Sequence, residues 1–222
     1  MKFFLQTQIG IENITEVELE RKFKGLYSLD YVGFVPHKNG IIQLDWRAKT
    51  SDGKQDVKLN FYKELGTIED AFFVLDYIKD IEPQKGTKDI TKEFNIPEIK
   101  KNLDFFFDNL NNFGPKADFR LVVRKKAPNE FRRIDLQNEV QRFFESYIPR
   151  AKITKEEGTK EIWITHIKNR LVIAVRLTTK EKRQGYYKTA SVHGSLRPAV
   201  AYSMVMLAET DSGKAIWDPF CG

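Results

Sequence analysis

The stretch from His193 to Gly222 constrains the fold most, because it sets a helix-forming segment ahead of a strand-and-turn signature. Arg197 to Glu209 carries Val200, Ala201, Met204, Val205, Leu207 and Ala208, the recurrence of a mostly buried helix. Asp211, Ser212 and Gly213 break that pattern, and Ala215 to Trp217 is a short apolar run of the size of a buried parallel strand. Asp218-Pro219-Phe220-Cys221-Gly222 would then lie at the carboxyl end of the strand, where open α/β sheets bind their ligands.

A chain of 222 residues can hold one or two domains with real cores, and 41% hydrophobic with 13% aromatic residues argues against disorder. The formal charge of +6 permits an anionic partner without demanding one. Cys221 is the single cysteine, which excludes an internal disulfide and a cysteine zinc cluster and fits a reducing compartment. No apolar run reaches the length of a membrane span, and the N-terminus lacks a basic start followed by an apolar core. The expectation is a cytoplasmic protein with no membrane partner.

From the N-terminus, Lys2 to Ile9 reads as a strand that ends at Gly10. Ile11, Thr15, Leu19 and Phe23 share a helical face with Ile14 beside it, and Glu12, Glu16, Glu18, Glu20, Arg21 and Lys22 are expected to be solvated. Tyr27 to Val35 and Ile41 to Trp46 read as a hairpin across Pro36 to Gly40, Val57 to Leu65 as helix or strand, and Ala71 to Ile78 as a strand. The order β-α-β-β-(α)-β over residues 1–82 is that of a ferredoxin-like half.

Pro83 to Asp89 has the composition of a connector. Ile96, Ile99, Leu103, Phe106, Phe107 and Leu110 then recur at helical steps with Pro97 in the first turn, so Phe105 to Phe107 reads as a buried helix face and not as a base-stacking patch. Ala117 to Lys126 reads as a strand whose alternation puts Leu121 and Val123 on the core side and Arg120, Val122 and Arg124 opposite. Arg120, Arg124, Lys125, Lys126, Arg132 and Arg133 form a basic cluster with Glu130 as the single acid among them, either a solvated face or a phosphate-binding one.

Ile134 to Tyr147 is expected to be a helix with Val140, Phe143, Phe144 and Tyr147 inward, closed by Pro149. Glu161 to Ile167 and Leu171 to Leu177 read as two strands, the first carrying His166, expected as a hydrogen-bonded structural histidine because no second ligand stands at metal spacing. Lys182, Arg183 and Lys188 then flank Tyr186 and Tyr187, a combination that could neutralise phosphates and stack on an unpaired base, or form an ordinary surface turn.

Four segments carry a family resemblance. Trp217 to Gly222 is similar to the DPFCGSGT-type first motif of S-adenosylmethionine-dependent methyltransferases in the branch that follows a THUMP domain. His193-Gly194-Ser195-Leu196-Arg197-Pro198-Ala199 resembles that branch's H-x-x-L-x-P-x-x-A segment, and Arg183 to Lys188 resembles the R-G-Y-R element that ends THUMP domains, with Gln184 interrupting it and Lys188 in place of the last arginine. Gly10-Ile11-Glu12 is similar to the family's entry into the first helix of a ferredoxin-like domain.

The resemblance implies an α+β chain: a ferredoxin-like N-terminal domain at 1–82, a THUMP RNA-binding domain at 83–189, then a linker helix and the first strand of a truncated Rossmann-like methyltransferase domain at 190–222. It implies RNA contacts from Arg120, Arg124, Lys125, Lys126, Arg132, Arg133, Lys182, Arg183, Tyr186 and Lys188. It implies that His193, Leu196, Pro198, Asp218, Pro219, Phe220, Cys221 and Gly222 lie beside S-adenosyl-L-methionine in the complete protein. The implied activity is methylation of the exocyclic N2 amine of guanine in tRNA, gripped by its acceptor end, or in rRNA. The alternatives are a stand-alone THUMP RNA-binding adaptor and a fragment of a DNA methyltransferase. No Asn-Pro-Pro or Asp-Pro-Pro, the family's catalytic motif, occurs in the sequence, so the 222-residue chain alone is expected to be inactive and to have no metal.

Overall fold

The computed structural model describes residues 1–29, 39–46, 60–109, 117–125, 130–154, 160–167, 169–179, 182–183, 194–209, 215 and 217. The fold is mixed α+β. Among the described residues the strands are β1 (Lys2–Gln6), β2 (Tyr27–Leu29), β3 (Ile41–Trp46), β4 (Asp70–Ile78), β5 (Ala117–Lys125), β6 (Ala151–Thr154), β7 (Lys160–Ile167) and β8 (Arg170–Arg176), in the order β2-β3-β1-β4-β8-β7-β5-β6. The helices are α1 (Glu12–Phe23), α2 (Thr87–Lys92), α3 (Ile96–Asn109), α4 (Arg133–Tyr147) and α5 (Pro198–Leu207). Contacts group the chain into two units, one of Met1–Phe4 and Phe72–Leu177, the other of Leu5–Ala71 and Thr178–Gly222.

In the first unit β4 pairs antiparallel with β8, β8 antiparallel with β7, and β5 runs parallel to both β7 and β6. Parallel neighbours need a crossover, and α4 supplies it between β5 and β6. Phe119, Leu121 and Val123 on β5 meet a core with Phe106 and Phe107 of α3 and Val140 and Phe144 of α4, all buried. Each such side chain contributes about 1.5–3 kcal/mol by leaving water. A register shift between Val74 and Asp76 interrupts the β4 ladder, and Asn102 Nδ2 of α3 donates to the Leu75 carbonyl at 2.9 Å. That side chain gives the bulged carbonyl a partner, as buried backbone requires.

Sequence and structure part company at several points here. The supposed connector, Pro83 to Asp89, ends inside α2, a short helix that buries Ile90 and is too brief to show a period. Strand β6 was not legible either, since four residues become a strand only by adding to the edge of β5. Tyr147 is 51% exposed, not inward, because it sits at the last residue of α4, beyond the core-facing turn, where its ring lies on Phe143 at 5.2 Å. Phe106 and Phe107 are core residues, as the helical spacing requires.

The second unit is built on α1. Leu19 is buried, Phe23 meets Trp46 of β3 and Phe61, which opens a 3-10 turn at Phe61–Glu64, and Trp46 stacks on Phe61 at 4.5 Å. Tyr27 pairs with Trp46 and Leu29 with Leu44 across β2 and β3; the turn proposed over Pro36 to Lys38 lies outside the described residues. Glu12 and Glu18, expected to be solvated, are buried. Glu12 accepts from the backbone N–H of Gly10 and of Gly40, each at 2.7 Å. Glu18 accepts from the N–H of Gly66 at 2.8 Å and of Thr67 at 3.0 Å, from the Thr67 hydroxyl at 2.7 Å and from Lys22 Nζ at 2.7 Å. Turn amides without a strand partner are strong donors, and these carboxylates exist to satisfy them.

Helix α5 reverses the expectation of a mostly buried helix. Ala199 and Ser203 are its buried positions, while Met204, Val205 and Leu207 are exposed, Leu207 at 66%. Ala215 and Trp217 lie in no strand and Trp217 is 86% exposed, so the expected strand is not formed at these positions. A three-residue run has nothing to hold it extended without a neighbouring ladder.

Candidate nucleic-acid interface

Strand β5 places its basic residues as alternation requires. Arg120 is exposed and Arg124 and Lys125 are half-buried, while Phe119, Leu121 and Val123 point into the core. Helix α4 brings Arg132 and Arg133 to its first turn, with Arg132 as N-cap. Two acids temper this cluster. Arg132 Nε and Nη2 donate to Asp135 at 3.2 and 3.3 Å, and the Arg132 N–H donates to the same carboxylate at 3.1 Å, so the third-position carboxylate satisfies the N-cap amide. Glu161 faces Arg120 across the β5–β7 ladder and accepts from Trp163 Nε1 at 2.8 Å and Arg176 Nη1 at 2.7 Å. Burial alone would raise the Glu161 pKa; its hydrogen bonds to Trp163 and Arg176, with the Arg176 and Arg120 charges, hold it below the ordinary carboxylate value.

Lys125 is differently engaged. Its Nζ donates to the Phe131 carbonyl at 2.7 Å and lies 4.9 Å from the Phe131 ring centroid. The other face of this cluster is His166, the register partner of Lys125 on β7, whose imidazole stacks under Phe131 at 5.8 Å and 21°. His166 is fully buried, and among the described residues neither Nδ1 nor Nε2 has a hydrogen-bond partner, so it is structural but held by stacking and not by the expected hydrogen bonds. Burial, helped by the Lys125 charge, pushes its pKa down to about 4, so the ring is neutral at pH 7. Phe131 is the residue that sequence reasoning missed; its one available signal was an aromatic set between Lys125 and Arg132.

The second unit holds the other described candidates. Lys182 turns inward: its Nζ donates to the carbonyls of Leu65 at 2.5 Å and Lys63 at 3.2 Å, and burial lowers its pKa, with Glu18 opposing and Lys22 adding to the effect. Arg183 is exposed, its Nε 3.8 Å from Asp70. Arg197 Nη1 donates to Glu69 at 2.7 Å and Gln8 at 3.2 Å. These side chains, with Gly66 and Tyr202, line a cavity of about 540 Å³. Lys126, Tyr186, Lys188, His193 and Asp218 to Gly222 lie outside the described residues.

Leu196 is exposed and Pro198 occupies the first turn of α5. Ala215 and Trp217 are exposed and in no strand. Among the described residues no group of His, Cys, Asp or Glu could hold a metal ion. No described helix is long and apolar enough to cross a membrane.

Residues 184–222 match the family model UPF0020, RMKL-like, methyltransferase domain. The chain superposes on TrmN from Thermus thermophilus with a TM-score of 0.63 at 13% identity, over 94% of this chain and 54% of that one. A possible methylase from Clostridium difficile 630 gives 0.63 at 15% identity, over 100% and 52%. SMU.472, a methyltransferase candidate complexed with SAH, gives 0.54 at 12% identity, over 99% and 50%. The chain thus spans about half the length of the solved structures it resembles. No curated protein matches it in sequence.

Proposed function

We propose that this chain is the RNA-gripping N-terminal portion of an S-adenosylmethionine-dependent RNA methyltransferase. The observation that carries the reading is the methyltransferase-domain match at residues 184–222, which follows a unit with a row of basic side chains along one strand. In this reading residues 1–82 form a ferredoxin-like domain, 83–189 a THUMP domain and 190–222 the opening of the catalytic domain. The substrate is tRNA held near its acceptor end, with rRNA the other possibility, and the reaction is methylation of the N2 amine of guanine. Use of S-adenosylmethionine by the complete protein is supported by the matched domain and by the SAH complex of a structural neighbour.

The chemistry favours this division of labour. Methyl transfer gains much of its rate from holding the amine in line with the sulfonium methyl, so a domain that fixes one end of the RNA also selects the nucleotide presented. Phosphate contacts position without reading sequence, and Arg120, Arg124 and Arg133 are suited to that task. The chain alone is expected to bind and not to methylate.

Binding of the chain to tRNA with and without its 3′-terminal nucleotides, across a salt series, tests the reading. Loss of affinity on trimming, and a salt slope shallower by about one for Arg133→Ala or Arg183→Ala, are expected. Equal weak binding to trimmed tRNA, intact tRNA and duplex DNA would refute it.

A further inference from the structure

A phenylalanine in a basic surface segment has to be explained, since Phe131 stands between Lys125 and Arg132 and is only half-buried. It is held on several sides. Lys125 Nζ binds its carbonyl, the same ammonium lies against its ring, and the His166 imidazole stacks beneath it. Its neighbour Arg132 begins α4, and the hydrogen bond from its backbone N–H to Asp135 fixes the backbone on the C-terminal side. The ring is therefore positioned before any ligand arrives.

His166 adds a second clue. A buried imidazole with no partner among the described residues on either nitrogen carries a desolvation cost that a buried phenylalanine would avoid. Its neutrality at pH 7 matters, because a second cation beside Lys125 would repel it and loosen the clamp. What His166 contributes at this place is a flat ring on the sheet, in register with Lys125, on which another ring can rest.

We infer that Phe131 is a stacking platform for one unpaired base of a single-stranded RNA, buttressed from within by His166, with Arg132 and Arg133, next in sequence and both exposed, placed for the flanking phosphates. The inference rests on the RNA-binding reading above and adds to it the place where a base would sit. Proteins that hold single strands combine a basic track with aromatic faces on which bases stack. A ring already immobilised loses little freedom on binding, so more of the stacking energy appears as affinity. Stacking is tolerant of sequence, and the site should grip a base without choosing it. Phe131 touches the RNA in this scheme, whereas His166 is a positioning residue.

The test is a fluorescence titration of the 222-residue chain with a short single-stranded RNA carrying one 2-aminopurine. Phe131→Leu keeps an apolar cover over His166 but removes the aromatic face; it should weaken binding about ten- to a hundredfold, with the salt slope unchanged. Phe131→Trp should restore binding and quench the 2-aminopurine. His166→Phe should bind like the unaltered chain, while His166→Leu should weaken binding and reduce the quench. A thermal melt of each variant separates loss of stacking from loss of fold. If the unaltered chain binds and a folded Phe131→Leu binds equally well, the platform is overturned and the RNA reading survives. If the unaltered chain binds no RNA, the RNA reading falls and the platform with it.

Discussion

Replacing Glu18 by alanine should cost about 3–5 kcal/mol of folding stability. Its carboxylate is 1% exposed and receives donors from the Gly66 and Thr67 amides, the Thr67 hydroxyl and Lys22. A hydrogen bond to a charged group is worth roughly 1.5–3 kcal/mol, and each buried amide left alone costs roughly 1–3 kcal/mol. The Lys22 ammonium is partly exposed and regains water, so its share of the loss is small. In a chain of this size the change corresponds to a fall in Tm on the order of 10 °C. Urea unfolding followed by circular dichroism measures it directly, and the m-value should stay constant while the midpoint falls. The pH dependence adds a second check. Burial opposes ionisation of Glu18, but Lys22, Gly66 and Thr67 together hold its pKa below the ordinary value. Its contribution is fully present above about pH 4.3 and is lost as pH falls through the lower native value. The gap between the unaltered chain and Glu18→Gln should therefore close in acid. An unchanged urea midpoint for Glu18→Ala at pH 7 would refute the account of this carboxylate as a partner for turn amides.

Two further outcomes follow from the same geometry. Gly66→Ala places a methyl 2.4 Å from the Tyr202 ring, so it should cost about 1–3 kcal/mol and raise amide exchange in Pro198–Leu207, measured by mass spectrometry. For His166 the native pKa of about 4 lies below the unfolded value near 6.5. Its unfolded form takes the proton first on acidification, so stability should fall by up to about 3 kcal/mol between pH 6.5 and 4 and then level off. His166→Phe should lack that component in denaturation midpoints across the same range.

Much of the fold was legible because periods are local. The alternation of β5 and the helical spacing of Ile99, Leu103, Phe106 and Phe107 survive in the structure with the expected sides buried. What failed was set by distant partners. Nothing near Glu18 in sequence announces Gly66 and Thr67, and Glu12 meets Gly40 only because β3 returns beside it. Strand β6 exists by virtue of β5, and α2 is shorter than a recognisable period. At the candidate interface the arginines were visible as charge, but Asp135 and Glu161, which temper them, came from the helix turn and the neighbouring strand. Phe131 was hidden because an aromatic outside a periodic run looks like any loop residue. Helix α5 misled for the opposite reason: its apolar content is plain, but composition does not say which side of a helix finds a neighbour.

The two rows of β5 also bear on how such a protein can change over time. Phe119, Leu121 and Val123 answer to the core, whereas Arg120 and Arg124 answer to whatever lies outside. Substitutions in the outer row can retune attraction to a polyanion while the folding energy stays nearly fixed, and those in the inner row do the reverse. A deletion of one residue would exchange the rows and forfeit both properties at once. Point substitution is thus the gradual route open to this strand, and affinity can drift along it without the fold being put at risk.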